Sequence, residues 1–408
     1  MNLLRIFFWI LYLSPTPLLA QICGFSTVKN ADIERYTEGY VSHFLQSNVQ
    51  QRTIARIPVV VHVVWNSGFE NISDAQIQSQ IEALNRDFRK RNTVNPVFSR
   101  FAVDCEIEFC LAQRDTNGNP TTGIVRRQTN YANIGSEYFD TSSRKRIYYT
   151  SKGGSTAWNP QKYLNIWVCS INVLYGFASS PAKALERPEE DGVVVDYRVF
   201  GTTGSLREGR QNGRLTVHEI GHYFNLLHIW GSDSTCVDDD EVTDTPVQAS
   251  PHEGCPVDLV KSCNNSLDYF RNYMDYTNDD CMSFFTAGQK ARMWATLTGF
   301  RANLISSNVC DPVSVQTVNK PIFEVFPNPA QTELTVIFKN QIASESKTIQ
   351  LLDCFGRIVL EKRNYTVQGI PSRDGVFNLS LNDCPNGFYW LSIQVNNQNI
   401  VKKVVIQK

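Results

Sequence analysis

The sequence predicts an α+β protein: a twisted mixed sheet with helices, followed by a small all-β sandwich. Three observations support this fold class. Strand-like and helix-like runs alternate in the part before Gly231. The part after Gly231 is rich in cysteine and shows few long regular runs. From about residue 321 onward, short alternating runs are separated by turn residues at the spacing typical of a β-sandwich.

The first 20 residues are typical of a secretory signal peptide. Arg5 precedes an apolar run from Ile6 to Leu13, and Ala20 is a small residue before Gln21. The apolar run is too short to cross a bilayer, so we expect export and no permanent membrane span. Residues 21–52 are polar and mildly helical, and we interpret them as a propeptide.

Charge and cysteine content restrict the class of protein further. The chain has 408 residues, which favours two or three domains, and a formal net charge of −1, which indicates no nucleic-acid partner. Its 11 cysteines suit an oxidising compartment, where disulfides form. Because 11 is odd, at least one cysteine lies outside intrachain pairs, and the isolated Cys23 is our candidate.

Hydrophobic periodicity defines the elements of the N-terminal half. A strand begins at Ile57, and a helix over Asp74–Asn92 carries a candidate capping box at Ser73 and Gln76. The segment Leu174–Pro181 reads either as an ordinary loop or as an edge strand that could hold an extended peptide. We favour the edge strand. Further strands are predicted at Cys105–Ala112, Leu164–Ile171 and Gly192–Tyr197.

The segment HEIGHYFNLLH, from His218 to His228, has the spacing of a metal site. Residues four apart share one face of a helix, so His218 and His222 can bind one ion with Glu219 beside them. His228 can become a third ligand only if the chain turns first. Asn225 is the candidate pivot, because asparagine tolerates the left-handed conformation.

A short HExxH motif also arises by chance, with the histidines simply part of a core. Here the flanking residues are largely apolar, and burying uncompensated histidine and glutamate among them is costly. A metal ion removes that cost. Three neutral imidazoles leave a fourth tetrahedral position for water, which predicts a catalytic zinc site.

The three histidines make this segment similar to the metzincin metalloproteases, although Asn225 stands where most of them have glycine. The pappalysin branch has the greatest resemblance, on HIWG at 228–231 and NYMDYTNDDC at 272–281. The likeness extends over most of residues 57–300, including IPVVVHVV at 57–64, TGIVR at 122–126 and YLNIWV at 163–168. It implies a secreted metalloendopeptidase that acts on proteins and peptides.

The resemblance assigns roles to several residues. It implies that Glu219 is the general base, that Met274 lies under the zinc site and that Tyr276 stabilises the tetrahedral intermediate. It implies that Cys23, followed by Gly24, occupies the fourth zinc position in a latent zymogen. The alternatives for Cys23 are an unpaired or a lipidated thiol. The implied disulfides are Cys236–Cys263 and Cys255–Cys281.

The acidic loop from Cys236 to Pro246 offers several hard oxygen ligands, which suit calcium. The alternative is a solvated acidic loop. The resemblance to pappalysins favours calcium, and Asp240, Thr243 and Thr245 are the candidate ligands.

Asp279 is the candidate specificity residue. By resemblance it lies at the base of the pocket just past the scissile bond, where it would favour Arg or Lys. The alternative is that Asp279 only solvates a turn. The same preference makes the vicinity of Arg52 a candidate maturation site.

The C-terminal segment is similar to the sorting domains of type IX secretion substrates. The resemblance rests on FPNPA at 326–330, DCFGR at 353–357, Gly387–Trp390 and the pair Lys402-Lys403. It implies that the secretion machinery is a partner. A carbohydrate-binding or adhesive sandwich is the alternative.

The domain prediction is a signal peptide at 1–20, a propeptide at 21–52, a protease domain at 53–310, a linker at 311–320 and a sandwich at 321–408. We interpret the whole as a secreted zinc endopeptidase made as a zymogen. The rival hypothesis is a zinc-containing surface adhesin without catalytic activity. Intact Glu219 and Tyr276 argue against the rival, because a binding module needs no base beside its metal.

Overall fold

The computed structural model describes residues 21–24, 31–46, 54–139, 145–172, 174–232, 236–264, 267–311, 323–338, 347–353, 356–365, 375–395 and 398–408. The proposed signal peptide and the vicinity of Arg52 lie outside these ranges. The chain divides into two compact units, Met1–Val313 and Ser314–Lys408. None of the helices in the described ranges is long and apolar enough to cross a membrane.

The first unit contains a mixed sheet and helices. Its strands are β1 (Gln21–Cys23), β2 (Ala55–Trp65), β3 (Ile107–Leu111), β4 (Ile124–Gln128), β5 (Leu164–Cys169), β6 (Leu174–Ala178) and β7 (Val193–Asp196). Its helices are α1 (Ala31–Gln46), α2 (Asp74–Phe88), α3 (Pro181–Glu186), α4 (Arg214–Tyr223), α5 (Ala287–Thr298) and α6 (Ala302–Ile305).

Strand β2 is the centre of this sheet, whose order is β1-β6-β7-β5-β2-β3, with β4 also paired to β2. The first half of β2 pairs with β3 and the second half with β4, while β5 runs parallel along the other side. Nearly every residue of β2 is buried, which explains its continuous apolar run. Strand β6 is antiparallel to β7. The predicted strand is present over Leu174–Ala178, but β1 pairs with its outer side and is itself the edge strand here.

Helix α2 ends four residues before the predicted Asn92. Lys90 has φ +49°, a left-handed conformation that cannot continue a right-handed helix. At the other end Ser73 accepts a hydrogen bond from the Gln76 amide, as expected for an N-cap. The Gln76 side chain instead donates to the carbonyls of Tyr197 and Phe200, so it ties α2 to the chain after β7.

The chain between α4 and α5 is mostly loop and carries disulfides. Cys236 is bonded to Cys263 and Cys255 to Cys281. A third disulfide joins Cys110 of β3 to Cys310 after α6. Spacing could not have identified that third pair, because its two cysteines are 200 residues apart.

The second unit is all β in the ranges that are described. Its strands are β8 (Phe323–Phe326), β9 (Glu333–Phe338), β10 (Lys347–Leu352), β11 (Ile358–Tyr365), β12 (Gly375–Ser380), β13 (Gly387–Val395) and β14 (Gln398–Ile406). They form antiparallel sheets of order β11-β10-β13-β14 and β12-β9-β8. Residues from both sheets share one apolar core, as in a β-sandwich.

Candidate metal centre and active site

Helix α4 carries the HExxH segment and is buried along its whole length. The helix ends at Tyr223, and Asn225 follows with φ +71°. The left-handed residue reverses the chain direction, so that His228 returns toward the helix. A straight helix would have carried position 228 to another face.

The Nε2 atoms of the three histidines converge. His222 Nε2 lies 3.0 Å from His218 Nε2 and 3.0 Å from His228 Nε2. His218 Nδ1 lies 2.8 Å from the Tyr273 carbonyl oxygen and His222 Nδ1 lies 2.7 Å from the Leu226 carbonyl oxygen. A carbonyl only accepts, so these two Nδ1 atoms carry the protons. The Nε2 lone pairs of His218 and His222 therefore face the point of convergence, as in histidine-bound metal sites.

Burial keeps these imidazoles neutral. It lowers the pKa of His218 to about 4. The pKa values of His222 and His228 also lie well below the ordinary value, first because of burial and then because of the neighbouring histidines. Neutral imidazoles packed this closely satisfy the donor requirement of a zinc site.

Cys23 completes the cluster. One ligand atom each from Cys23, His218, His222 and His228 lies within 4.8 Å of every other. Cys23 reaches this place because β1 adds to the sheet as a parallel strand beside β6, with Cys23 opposite Gly176. The Gly24 amide then donates to the Gly176 carbonyl at 3.0 Å.

Glu219 lies beside the cluster and is fully buried. The Cys23 thiol donates to Glu219 Oε2 at 3.5 Å, and Glu219 Oε1 has no hydrogen-bond partner in the described structure. Burial raises the pKa of Glu219 to about 8, against the lowering effect of the Cys23 hydrogen bond. A carboxylate in this environment has the proton affinity of a general base or acid near neutral pH.

Two residues within the disulfide-rich loop border the histidines. Met274 Sδ lies 2.5 Å from the position that a Cβ at Gly221 would take, so the methionine packs directly under α4. The Tyr276 hydroxyl is 3.2 Å from His228 Nε2 and 3.4 Å from the Cys23 carbonyl oxygen. The phenol therefore lies where it could contact a group bound in place of Cys23.

Asp279 does not lie unpaired in a pocket. It is 1% exposed, and its Oδ2 accepts the backbone amides of Asn212 and Arg214, each at 3.0 Å. Its Oδ1 has no hydrogen-bond partner in the described structure, but it forms an ion pair with Arg210 Nη1 at 3.5 Å. Burial raises the pKa of Asp279, and Arg210 opposes that effect. The prediction that Asp279 binds a cationic substrate side chain assumed an unpaired carboxylate. In the structure Arg210 of the same chain supplies the cation.

The acidic loop brings together two of the three candidate calcium ligands. Asp240 Oδ1 accepts a hydrogen bond from Thr245 Oγ1 at 2.6 Å, whereas Thr243 is exposed. Asp240 Oδ2 is buried and has no hydrogen-bond partner in the described structure. Burial raises the pKa of Asp240 to about 8. The nearby Asp244 has a different role, because it accepts from Thr286 Oγ1 and the Gly288 amide at the start of α5.

Sequence reasoning missed the groups that orient the site. The carbonyls of Tyr273 and Leu226 give no sequence signal, because every residue carries one. Arg210 was also missed, although it is buried and donates to the carbonyls of Tyr276 and Thr277. A lone arginine in a loop is normally solvated, so only its burial in the fold reveals this contact.

Comparisons with known proteins agree with this geometry. Residues 148–298 match the peptidase M43 family, described as Pregnancy-associated plasma protein-A. An extracellular metalloprotease from Pyricularia oryzae is 32% identical over 256 residues, which cover 60% of this chain and 76% of the relative. Residues 324–407 match a secretion system C-terminal sorting domain, which marks the chain as a type IX secretion substrate and a secreted protein.

Two solved structures from Tannerella forsythia are similar to the first unit. Mature mirolysin in complex with a cleaved peptide is 42% identical, with a TM-score of 0.60, and the match covers 64% of this chain and 100% of that one. A promirolysin mutant is 38% identical, also with a TM-score of 0.60, and the match covers 70% of this chain and 97% of that one. The chain therefore belongs to the M43, or pappalysin, family of metzincin metalloendopeptidases.

Proposed function

We propose that this protein is a zinc-dependent endopeptidase that is made as a zymogen and hydrolyses peptide bonds with Glu219 as the general base. The observation that carries the proposal is the convergence of three neutral imidazoles beside a buried carboxylate. The donor set fits zinc, because two Nδ1 protons are held by carbonyls and their Nε2 lone pairs point inward.

His218, His222 and His228 would hold the ion. Zinc, when bound, supplies a Lewis acid that polarises a carbonyl and acidifies water. Glu219 accepts a proton from the attacking water and returns it to the leaving amine. Burial suits Glu219 to accepting a proton, because it raises the pKa of the carboxyl above that of an exposed glutamate.

Tyr276 would stabilise the oxyanion that develops on the scissile carbonyl. Its hydroxyl is held near His228 Nε2 and the Cys23 carbonyl by two contacts of 3.2 and 3.4 Å. When residues 21–24 leave, the phenol keeps its place at the edge of the cluster and gains room for a substrate oxygen. A hydrogen-bond donor aimed at developing charge in a dry site lowers the barrier substantially.

Latency would come from residues 21–24. The thiol of Cys23 lies with the three imidazoles, and β1 covers the free edge of β6. Thiolate is a good zinc ligand and excludes water from the fourth position. Strand β1 also occupies the edge on which an extended substrate would pair. Residues 21–24 therefore block both the metal site and the edge of β6 on which substrate would pair.

The proposed boundaries are a propeptide at 21–52, a protease domain at 53–310 and a sorting domain at 321–408, which contacts the secretion machinery. The boundary between the two compact units, between Val313 and Ser314, falls within the proposed linker at 311–320. Calcium bound at the acidic loop is a further part of the proposal, supported by the buried, unpaired Oδ2 of Asp240.

A preference for Arg or Lys after the scissile bond remains part of the proposal. Asp279 has its own partner in Arg210, whereas the adjacent Asp280 is exposed. The cut sites that the Asp279→Asn and Asp280→Asn variants produce in a proteome-derived peptide library show which of the two carboxylates sets the preference. The variant that loses basic residues at the new N-termini identifies the specificity residue. Cut sites without basic enrichment in the wild type would refute the preference.

The rival function is a zinc-containing adhesin without catalytic activity. Incubating the processed protein with denatured casein, with and without a metal chelator, separates the two functions. We expect casein to be degraded, activity to be lost with the chelator and activity to return with added zinc. Zinc-loaded, processed protein that leaves casein intact would favour the adhesin.

A further inference from the structure

A histidine and two aspartates form a buried ion-pair cluster that the proposed mechanism does not use. His252 Nδ1 lies 2.9 Å from Asp275 Oδ2, and His252 Nε2 lies 3.4 Å from Asp268 Oδ2. Both carboxylates are buried, and the histidine side chain is 13% exposed. The cluster connects the loop around His252 to the segment that contains Met274 and Tyr276.

The geometry around His252 favours the imidazolium form. An ionised carboxylate only accepts hydrogen bonds, and a neutral imidazole has a single N–H. Only the imidazolium can donate to Asp275 and Asp268 at once. Burial lowers the pKa of His252, but the hydrogen bonds and charges of these two aspartates raise it to about 9 overall. The imidazolium is therefore the resident form at neutral pH.

Asp275 transmits this interaction to Tyr276. Its Oδ1 accepts the Tyr276 amide at 2.6 Å and the His252 amide at 2.7 Å. Its Oδ2 accepts the His252 ring and the Gln248 side chain. The carboxylate thus fixes the backbone from which the Tyr276 phenol extends toward His228.

We propose that His252, as an imidazolium, is a positioning residue for Tyr276 that acts through Asp275. The inference rests on the role proposed above for Tyr276. His252 does not touch the reacting groups in this scheme. It supplies the positive charge that pairs with Asp275 and orients it, and Asp275 holds the backbone from which the phenol extends.

A double-mutant cycle tests the proposal on the processed enzyme. We expect His252→Gln to lower kcat by about tenfold with little change in KM, because small misplacements of a group that acts in the transition state are costly. In a Tyr276→Phe background the same substitution should cause no further loss of kcat. Losses that multiply in the double variant would overturn the inference and leave the proposed function standing.

His62→Gln is the matched control. His62 is fully buried, its ring bonds to Ser155 and Asn165 instead of to carboxylates, and burial lowers its pKa to about 4. Any effect of this substitution should be equal in the wild-type and Tyr276→Phe backgrounds. If Tyr276→Phe alone leaves kcat unchanged, the proposed role of Tyr276 is wrong, and the inference that depends on it is wrong as well.

A second measurement applies even where His252→Gln does not fold. NMR of the histidine-labelled full chain should show one imidazolium that remains protonated at pH 8, and Asp268→Asn should lower the pKa of that group. In the same variant, the decrease of kcat at alkaline pH should begin at a lower pH than in the wild type. A neutral His252 at pH 8, or an alkaline decrease of kcat that Asp268→Asn leaves unchanged, would overturn the proposal.

Discussion

The thiol of Cys23 lies 3.5 Å from Glu219 Oε2, although 196 residues separate them in sequence. The contact places one residue of the proposed propeptide on both the histidine cluster and the proposed base. In the proposed zymogen, removal of residues 21–24 would uncover the histidines and the carboxylate together. The proposed latency and the proposed catalysis would therefore use the same few atoms, so single substitutions can test both.

Cys23→Ala should make the precursor partly active before processing, because the metal site opens while β1 still covers the edge of β6. The substitution removes the thiol that competes with water and leaves β1 to hold the edge of β6 only by its backbone. The measurement is casein hydrolysis by unprocessed protein. Cys105→Ala is the control, because it removes another buried thiol that is not part of the histidine cluster. Equal latency of the Cys23→Ala and wild-type precursors would contradict the switch.

Glu219→Gln should abolish peptide hydrolysis and keep zinc bound, because it removes the base without changing the histidines. The measurement is kcat together with zinc content per chain. Loss of a general base typically costs 10²- to 10⁴-fold in rate. The control is Glu190→Gln, which changes another buried glutamate that pairs with Arg187. Near-normal turnover by Glu219→Gln would rule out the mechanism.

Gly221→Ala should destabilise the first unit and disturb the metal site. A Cβ at this position would lie 2.5 Å from Met274 Sδ, so the methionine or the helix must move. Overpacking of this kind costs about 1–3 kcal/mol in the free energy of unfolding. Gly39→Ala in α1 is the control, because nothing lies within 4 Å of its added Cβ. A stable Gly221→Ala variant with normal zinc affinity would show that the contact is unimportant.

Calcium should stabilise the protein through Asp240. Without a cation, the raised pKa of this carboxyl means that its ionisation costs stability above the ordinary pKa of an aspartate, and the cost grows until pH passes about 8. Calcium should therefore raise Tm more at pH 8 than at pH 5, with zinc kept saturating. Asp240→Asn should remove most of the calcium response, whereas Asp258→Asn, at an exposed aspartate, should keep it. A wild-type Tm that does not respond to calcium would refute the site.

His252 should make stability fall at alkaline pH. Its pKa in the folded protein is about 9, above the ordinary value of 6.5. The stabilisation is therefore fully present below about pH 6.5 and is lost as pH rises through 9. Chemical denaturation across this range measures the loss. The His252→Gln variant should be less stable at pH 6 and should lose the part of the pH dependence that the wild type shows between pH 7 and 9.

The histidine cluster was largely predictable from the sequence. Histidines four apart share a helix face, and the left-handed tolerance of asparagine predicts a turn before His228. Helix α2 shows where such local reasoning stops. The N-cap at Ser73 follows from the local sequence. The predicted end at Asn92 lay too far along the chain, because Lys90 adopts a left-handed conformation. The Gln76 side chain bonds to carbonyls about 120 residues away, which no local pattern predicts.

Sequence by itself determined the three converging histidines, the fold class and the two-part organisation, because these depend on local spacing and on the period of apolar residues. Tertiary structure alone decided which charges are paired. Asp279 has Arg210 as its partner and His252 joins Asp268 to Asp275, while Asp240 keeps one buried oxygen unpaired. The energy of a carboxylate depends on burial and on partners distant in sequence, and no local pattern encodes either.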